Sequence, residues 1–331
     1  MSVHPAQLST ASLTDSRLVV VSGKGGVGKT TVAAAIATAA ADAGKRVLIV
    51  EVEQREGLAP LFGRPAIGYD EASLAPGIAG ISVVPDEALT EYLQLFYGVG
   101  RIARPLLTGK AVEFATNTAP GLRDILLIGK VKEAENRRAG GSYVYDLIVL
   151  DAPPTGRLPR FLDAPRAVVE LVQSGAIRQQ AQGVLDMLLD PKRTRVVLVT
   201  LPEEMPVRET IEAAAAMREM GIALGPVVVN ALSPQPFTTA QQRTLSKEGA
   251  AALLAEAADA GIDLTERAAE GVAAVASTHA RRATAQRRAL KELTASLDLS
   301  QIRLPALFTP QIGAAERRRL AAELVAQGAI A

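Results

Sequence analysis

The chain has 331 residues, 48% hydrophobic and 21% charged, with a formal net charge of +1 and no cysteine. That length excludes a small stapled fold, the composition excludes a disordered chain, and the near-neutral balance calls for no nucleic acid or strongly charged partner. Without cysteine there are no disulfides, thiolate zinc sites, iron–sulfur clusters or thiol nucleophiles.

Residues 1–16 read as a flexible polar tail, with no basic segment leading into an apolar core as a signal peptide would have. No apolar run approaches the ~20 residues that span a bilayer. A cytoplasmic protein is therefore expected, with loose membrane association left open. From residue 17 onward, short Val/Ile-rich runs alternate with helical segments. The runs are "RLVVVS" (17–22), "RVLIVEVE" (46–53), "GISVVP" (80–85), "YDLIVLD" (145–151), "RVVLVTLP" (195–202), "GPVVVNAL" (225–232) and "IRLPAL" (302–307). Nearly continuous apolar strands of this kind are buried on both faces, which is the pattern of a parallel sheet. Helical spacing fills 30–43, 86–97, 122–138, 204–219, 236–296 in pieces, and 314–327. The expected fold class is α/β, a doubly wound, mainly parallel sheet of the P-loop NTPase type. It forms one domain over 17–331, with helical insertions near 86–138 and 165–192.

The first strand runs into "GKGGVGKT" (23–30), which fits G-x-x-x-x-G-K-[ST] in the strand–loop–helix setting that the motif requires. Glycines allow successive N–H groups to turn inward onto phosphate oxygens. The expected nucleotide cradle is Gly23, Gly25, Gly26, Val27, Gly28, Lys29, Thr30 and Thr31. Lys29 reaches the β- and γ-phosphates of ATP, the Thr30 hydroxyl ligates Mg²⁺, and the helix N-terminus favours the anion. Lys24 is in excess of this need.

With that extra lysine the chain resembles the deviant Walker A ATPases, the group of the MinD, ParA and ArsA families. The resemblance implies that Lys24 crosses a dimer interface to touch the partner's nucleotide. Three stretches resemble the ArsA branch, which includes the arsenite-pump ATPase and the ATPase targeting tail-anchored membrane proteins. "YDLIVLDAPPTGRLPRFLDAP" (145–165) is similar to its switch II, which gives Asp151 a water of the Mg²⁺ shell. "VTLPEEMPVRET" (199–210) resembles its strand and helix start, where Glu203 and Glu204 complement the dipole. "VVVNAL" (227–232) places Asn230 where the family reads adenine, and "PALFTPQIG" (305–313) resembles the other wall of the base pocket, with Phe308 and Pro310. The likeness is sharpest with actinobacterial ArsA-like ATPases through 47–62 and 111–133; these commonly occur as two related proteins that pair.

The sequence departs from the branch at switch I. Where the family has an aspartate that orients the attacking water, this chain has Glu53, one methylene longer, and Glu51 shares its strand face. Glu53 keeps the carboxylate for water and metal, while a misplacement of ~1 Å can cost ~10²-fold in rate. Without cysteine, neither the thiolate metalloid site nor the paired-cysteine zinc clamp can form. The segments 88–107 and 166–192 are expected first to bury an apolar face in their own protein, with a groove for a protein or membrane-protein client as the sharper alternative. The basic stretch 279–291 has too little aromatic content for a nucleic-acid site. In the C-terminal helix, Leu320, Leu324 and Val325 are expected on one face that docks on the sheet.

The expected activity is Mg²⁺-ATP hydrolysis by a dimeric nucleotide switch that binds or releases a client or a paralogous partner. Two rivals stand beside it. One is a ParA/MinD-like positioning ATPase on DNA or membrane. The other is an ATP-binding, weakly catalytic subunit of a heterodimer. The catalytic candidates are Lys24, Glu53 and Asp151; the metal candidates are Thr30, Glu53 and Asp151.

Overall fold

The computed structural model describes residues 12–52, 56–97, 121–234 and 238–330. Ten strands and eleven helices are described in chain order. They are β1 (Leu18–Gly23), α1 (Lys29–Asp42), β2 (Val47–Val52), α2 (Leu58–Leu61), β3 (Ala72–Ala75), β4 (Ile78–Val83), α3 (Pro85–Tyr97), α4 (Leu122–Asn136), β5 (Arg138–Ala139), β6 (Ser142–Tyr143), β7 (Leu147–Asp151), α5 (Leu158–Leu171), α6 (Ala176–Leu189), β8 (Thr194–Thr200), α7 (Glu204–Glu219), β9 (Val227–Leu232), α8 (Thr239–Glu248), α9 (Ala250–Asp259), α10 (Glu266–Ser296), β10 (Gln301–Pro305) and α11 (Ala314–Ala326).

Eight strands form one sheet in the order β10-β9-β8-β1-β7-β2-β4-β3. Each neighbouring pair is parallel except β3–β4. Every residue of β1 and β2 is buried, which is why these strands read as unbroken apolar runs. Alternation then splits each strand between two cores. Leu18, Val20, Leu48, Val50, Ile148, Leu150, Val196 and Leu198 face a layer formed by α3–α7 and the end of α10. Val19, Val21, Val47, Ile49, Leu147, Val149, Val197 and Val199 face α1, α2 and α11. The parity matters for function, because Glu51 and Asp151 fall on the α1 face at the C-terminal ends of β2 and β7.

Alanines at 33–35, 37, 39 and 40 are all buried in α1 and let it lie close to the sheet. On the other layer, α4 is tied down by charge. Glu135, 1% exposed, accepts from Arg17 Nε at 3.1 Å and from Arg193 Nη2 at 2.6 Å. A second set links α3 and α4 to the chain before β3. Lys130 donates to Glu91 at 2.7 Å, and Arg137 to Glu133 and Glu71 at 2.6 Å each. The phenols of Tyr69 and Tyr145 donate to Glu91 and Glu71, and burial pushes both phenol pKa values up, so each stays a donor.

The structure departs from the sequence expectations in three places. The edge strand β3, "ASLA", is short and half-exposed and carries no apolar run. The 165–192 insertion is two helices, the first starting earlier, at Leu158. In α11, which packs on α1, Leu320 and Leu324 are buried with Arg317, whereas Val325 is 51% exposed. The part of the 86–138 insertion between 98 and 120 lies outside the described residues.

Replacing Glu135 leaves two arginines facing a buried void. Removing one member of a fully buried pair costs about 3–5 kcal/mol, and solvent reaching the arginines lowers this. Glu135→Ala should therefore lose about 2 kcal/mol in urea unfolding; an unchanged midpoint would show that α4 does not depend on this anchor.

Candidate functional site

The site gathers at the C-terminal ends of the central strands. β1 stops at Gly23 because nothing larger fits there. A Cβ on Gly23 would lie 2.2 Å from the Val199 carbonyl oxygen and 2.9 Å from Val27 Cγ2. Gly26 and Gly28 have φ of +86° and +87°, the left-handed region that glycine enters freely. Val27 is buried and pins the loop, while Cβ atoms at Gly25 and Gly26 would meet nothing within 4 Å. The loop is thus anchored at its base and open at its crest. Helix α1 begins at once, with Gly28 as a cap that offers no side chain and no acidic residue in the first turn. Its N-terminus suits an anion. The Lys29 ammonium, on a residue 7% exposed, donates to the Lys24 carbonyl at 3.0 Å. Thr31 follows, half-buried, in the first turn.

The second wall is the end of β7. Thr30 Oγ1 donates to Asp151 Oδ2 at 2.6 Å. Ser22 Oγ donates to the Pro153 carbonyl at 2.6 Å, and Thr155 N to the Gly23 carbonyl at 3.1 Å, which fastens the segment after Asp151 to the loop. Asp151 is paired in register with Glu51 of β2. Glu51 Oε1 accepts from the backbone N–H of Gly57 at 2.9 Å and of Leu58 at 3.1 Å. A hydroxyl and a carboxylate in contact form the hard-oxygen donor set that Mg²⁺ takes, so Thr30 and Asp151 fit that ion. Glu53, the third metal and catalytic candidate, lies outside the described residues. Further along, Arg157 donates to Asp124 at 2.6 Å, and burial pushes the Asp124 carboxyl up.

Lys24 leaves the cradle altogether. Its ammonium meets Glu209 Oε1 of α7 at 2.5 Å, with side chains 35% and 31% exposed. Nothing in the sequence links these residues, 185 positions apart.

Asn230 is half-buried at the end of β9 and touches the loop itself. Its Nδ2 donates to the Val27 carbonyl at 2.9 Å and would lie 2.4 Å from a Cβ on Gly28. The asparagine therefore braces the phosphate loop, a role that spacing alone did not suggest. The next residue, Ala231, has φ +53°, and the β9–β10 register shifts there. Ala306 N donates to the Leu232 carbonyl, which brings the loop after β10 beside Asn230. On that loop Phe308 is 75% exposed and Pro310 is exposed too.

Comparison with known proteins agrees with this geometry. The family model described as anion-transporting ATPase matches residues 16–179 and 175–250, and the chain belongs to that family. ATPase BagA of Mycobacterium tuberculosis is 40% identical over 304 residues, 88% of each chain. The arsenical pump-driving ATPase of Escherichia coli is 28% identical over 245 residues, 68% of this chain and 40% of its own. ATPase GET3 of Kluyveromyces lactis is 25% identical over 270 residues, 70% of this chain and 76% of its own. The protein is an ATPase of this family, and nucleotide is its substrate.

Two glycines separate the anchored base from the open crest. Gly23→Ala drives a methyl into backbone and should cost about 3 kcal/mol of stability with loss of nucleotide binding. Gly25→Ala meets no atom and should unfold within about 0.5 kcal/mol of the wild type. Equal denaturation midpoints for the two variants would show that the loop is not seated on the Val199 carbonyl.

Proposed function

We propose that this chain is an Mg²⁺-ATP-driven switch that works as a dimer, and that Lys24 acts on the nucleotide of the other subunit. The observation that carries the reading is the position of Lys24. It belongs to the phosphate loop by sequence, yet it points off the cradle onto the surface of α7. Lys29 already serves the cradle. An ion pair one-third exposed is worth about 0–1 kcal/mol, so an incoming phosphate on a second subunit can outbid Glu209.

In this reading the loop amides and Lys29 hold the β- and γ-phosphates, and the α1 N-terminus adds its dipole. Thr30 and Asp151 would hold Mg²⁺, with Glu53 as third ligand and as the group orienting water. Bound there, Mg²⁺ neutralises charge on the phosphate oxygens. Asn230, with Nδ2 on the Val27 carbonyl, turns its Oδ1 to the adenine amino group, and Phe308 and Pro310 cover the ring. Hydrolysis removes the γ-phosphate contacts, and the loops after β2 and β7 relax. The work done is binding or release of a protein client or a paralogous subunit. Among the described residues no helix is long and apolar enough to cross a membrane.

The test is ATP turnover per mole as protein concentration rises, beside binding of a fluorescent ATP analogue. Wild-type specific activity should climb with concentration. Lys24→Ala should abolish the climb and keep analogue affinity within about threefold, a change of roughly 0.7 kcal/mol. Wild-type protein that binds ATP but stays silent at every concentration would instead favour a heterodimer whose catalysis resides in a paralogue. Salt-dependent binding of the ATP state to DNA or anionic vesicles would favour a positioning ATPase.

A further inference from the structure

Glu51 is a charge in the middle of a parallel sheet. Its residue is 2% exposed, and the other five residues of β2 are Val, Leu and Ile, all buried. A carboxylate in such a place is retained only when its charge is met by donors. Those donors come from the returning chain. Oε1 takes the amides of Gly57 and Leu58, the entry to α2. The opposite end of α2 is met by the opposite charge. Arg317, 4% exposed, donates from Nη1 to the Leu61 carbonyl at 2.7 Å and stacks over Phe62 at 3.9 Å. A four-residue helix is thus held between a carboxylate at its amino end and a guanidinium at its carboxyl end, the signs its dipole favours.

The clamp seats the chain on the metal side of the site. A Cβ on Gly57 would touch Thr30 Cγ2 at 3.4 Å and lie 3.7 Å from both Thr30 Oγ1 and Glu51 Oε1. Thr30 Oγ1 is the group bonded to Asp151, and Asp151 is the register partner of Glu51. Glu56 precedes Gly57 with φ +51°, a left-handed conformation that a side chain adopts at a cost and keeps only where its surroundings fix it.

We propose that Glu51 is a positioning residue for ATP hydrolysis, and that its carboxylate fixes Gly57 and Leu58 against the Thr30–Asp151 pair. Through them it sets where the chain re-enters the site after β2. The proposal rests on the reading that Thr30 and Asp151 hold the metal, and makes no use of the dimer.

The experiment compares Glu51→Ala and Glu51→Gln with wild type in two readouts. The first is amide hydrogen exchange at Gly57 and Leu58, without nucleotide. Glu51→Ala should exchange there at least tenfold faster while β7 keeps wild-type protection. Glu51→Gln keeps the volume and one acceptor oxygen and should fall between. The second is steady-state kinetics. For Glu51→Ala, kcat should drop at least tenfold and KM for ATP stay within threefold, with partial recovery in Glu51→Gln. If Glu51→Ala does not fold, Glu51→Gln alone decides, through a severalfold gain in exchange and a severalfold loss of kcat. Wild-type exchange at both amides, or faster exchange with unchanged kcat, overturns the proposal. If the Glu51 variants behave as expected while Thr30→Ala keeps the wild-type Mg²⁺ requirement, the metal assignment fails and the clamp stands.

Discussion

Two carboxylates buried side by side, in register on neighbouring strands, are the constraint around which this site is built. Glu51 and Asp151 sit at 2% and 0% exposure at the ends of two strands whose other residues on that face are Val, Leu and Ile. Like charges on adjacent strands repel, and each is costly to remove from water. The chain answers with donors from two directions. The Thr30 hydroxyl comes from α1 and the Gly57 and Leu58 amides from the approach to α2. Both elements are bonded to these acids.

The two lysines of the loop divide along the same line. Lys29 lies inside, nearly buried, on a backbone carbonyl of its own loop. Lys24 lies outside, on an acid of α7. An outer lysine already paired with a carboxylate gains only the difference between two anions, which is small in water.

What the sequence made legible follows from how local each signal is. Strands buried on both faces must be apolar throughout, so the central strands were visible as runs; the edge strand β10 was found too although Arg303 is exposed, whereas β3 carries half-exposed "ASLA" and left no trace. The glycine demands of the phosphate loop are backbone demands, and they fix residue type at fixed spacing. Val325 was grouped with Leu320 and Leu324 by proximity, yet it is one residue past Leu324 and turns about 100° away, out of the stripe. Glu209 was not legible because its partner is brought to it only by tertiary packing. Glu51 entered the sequence reading only as sharing a strand face with Glu53, because its partners are backbone amides, and amides have no sequence signature. Asn230 was assigned to the base from resemblance, and its bond to the Val27 carbonyl adds a bracing role that resemblance did not contain.

Two helices of the same layer differ in how firmly they are held. Helix α4 buries Leu126, Leu127, Ile128 and Val131 and adds the Glu135 anchor. Helix α10 buries Ala269, Ala276, Ala283, Gln286 and Ala289, with one large side chain, Leu293, near its end. Its polar ties include Gln286 to Ser233 at 3.2 Å, Arg208 of α7 to Glu292 at 3.5 Å, and Gln301 of β10 to Thr294 at 2.9 Å. An alanine contributes about one methyl group of burial, roughly 0.8 kcal/mol, against about 1.5–3 for each large aliphatic of α4. The helix beside the nucleotide-facing ends of α7 and β9 is therefore the lightly held one. Elements that move are drawn from the weakly held part of a fold, and of these two helices α10 buries the smaller side chains.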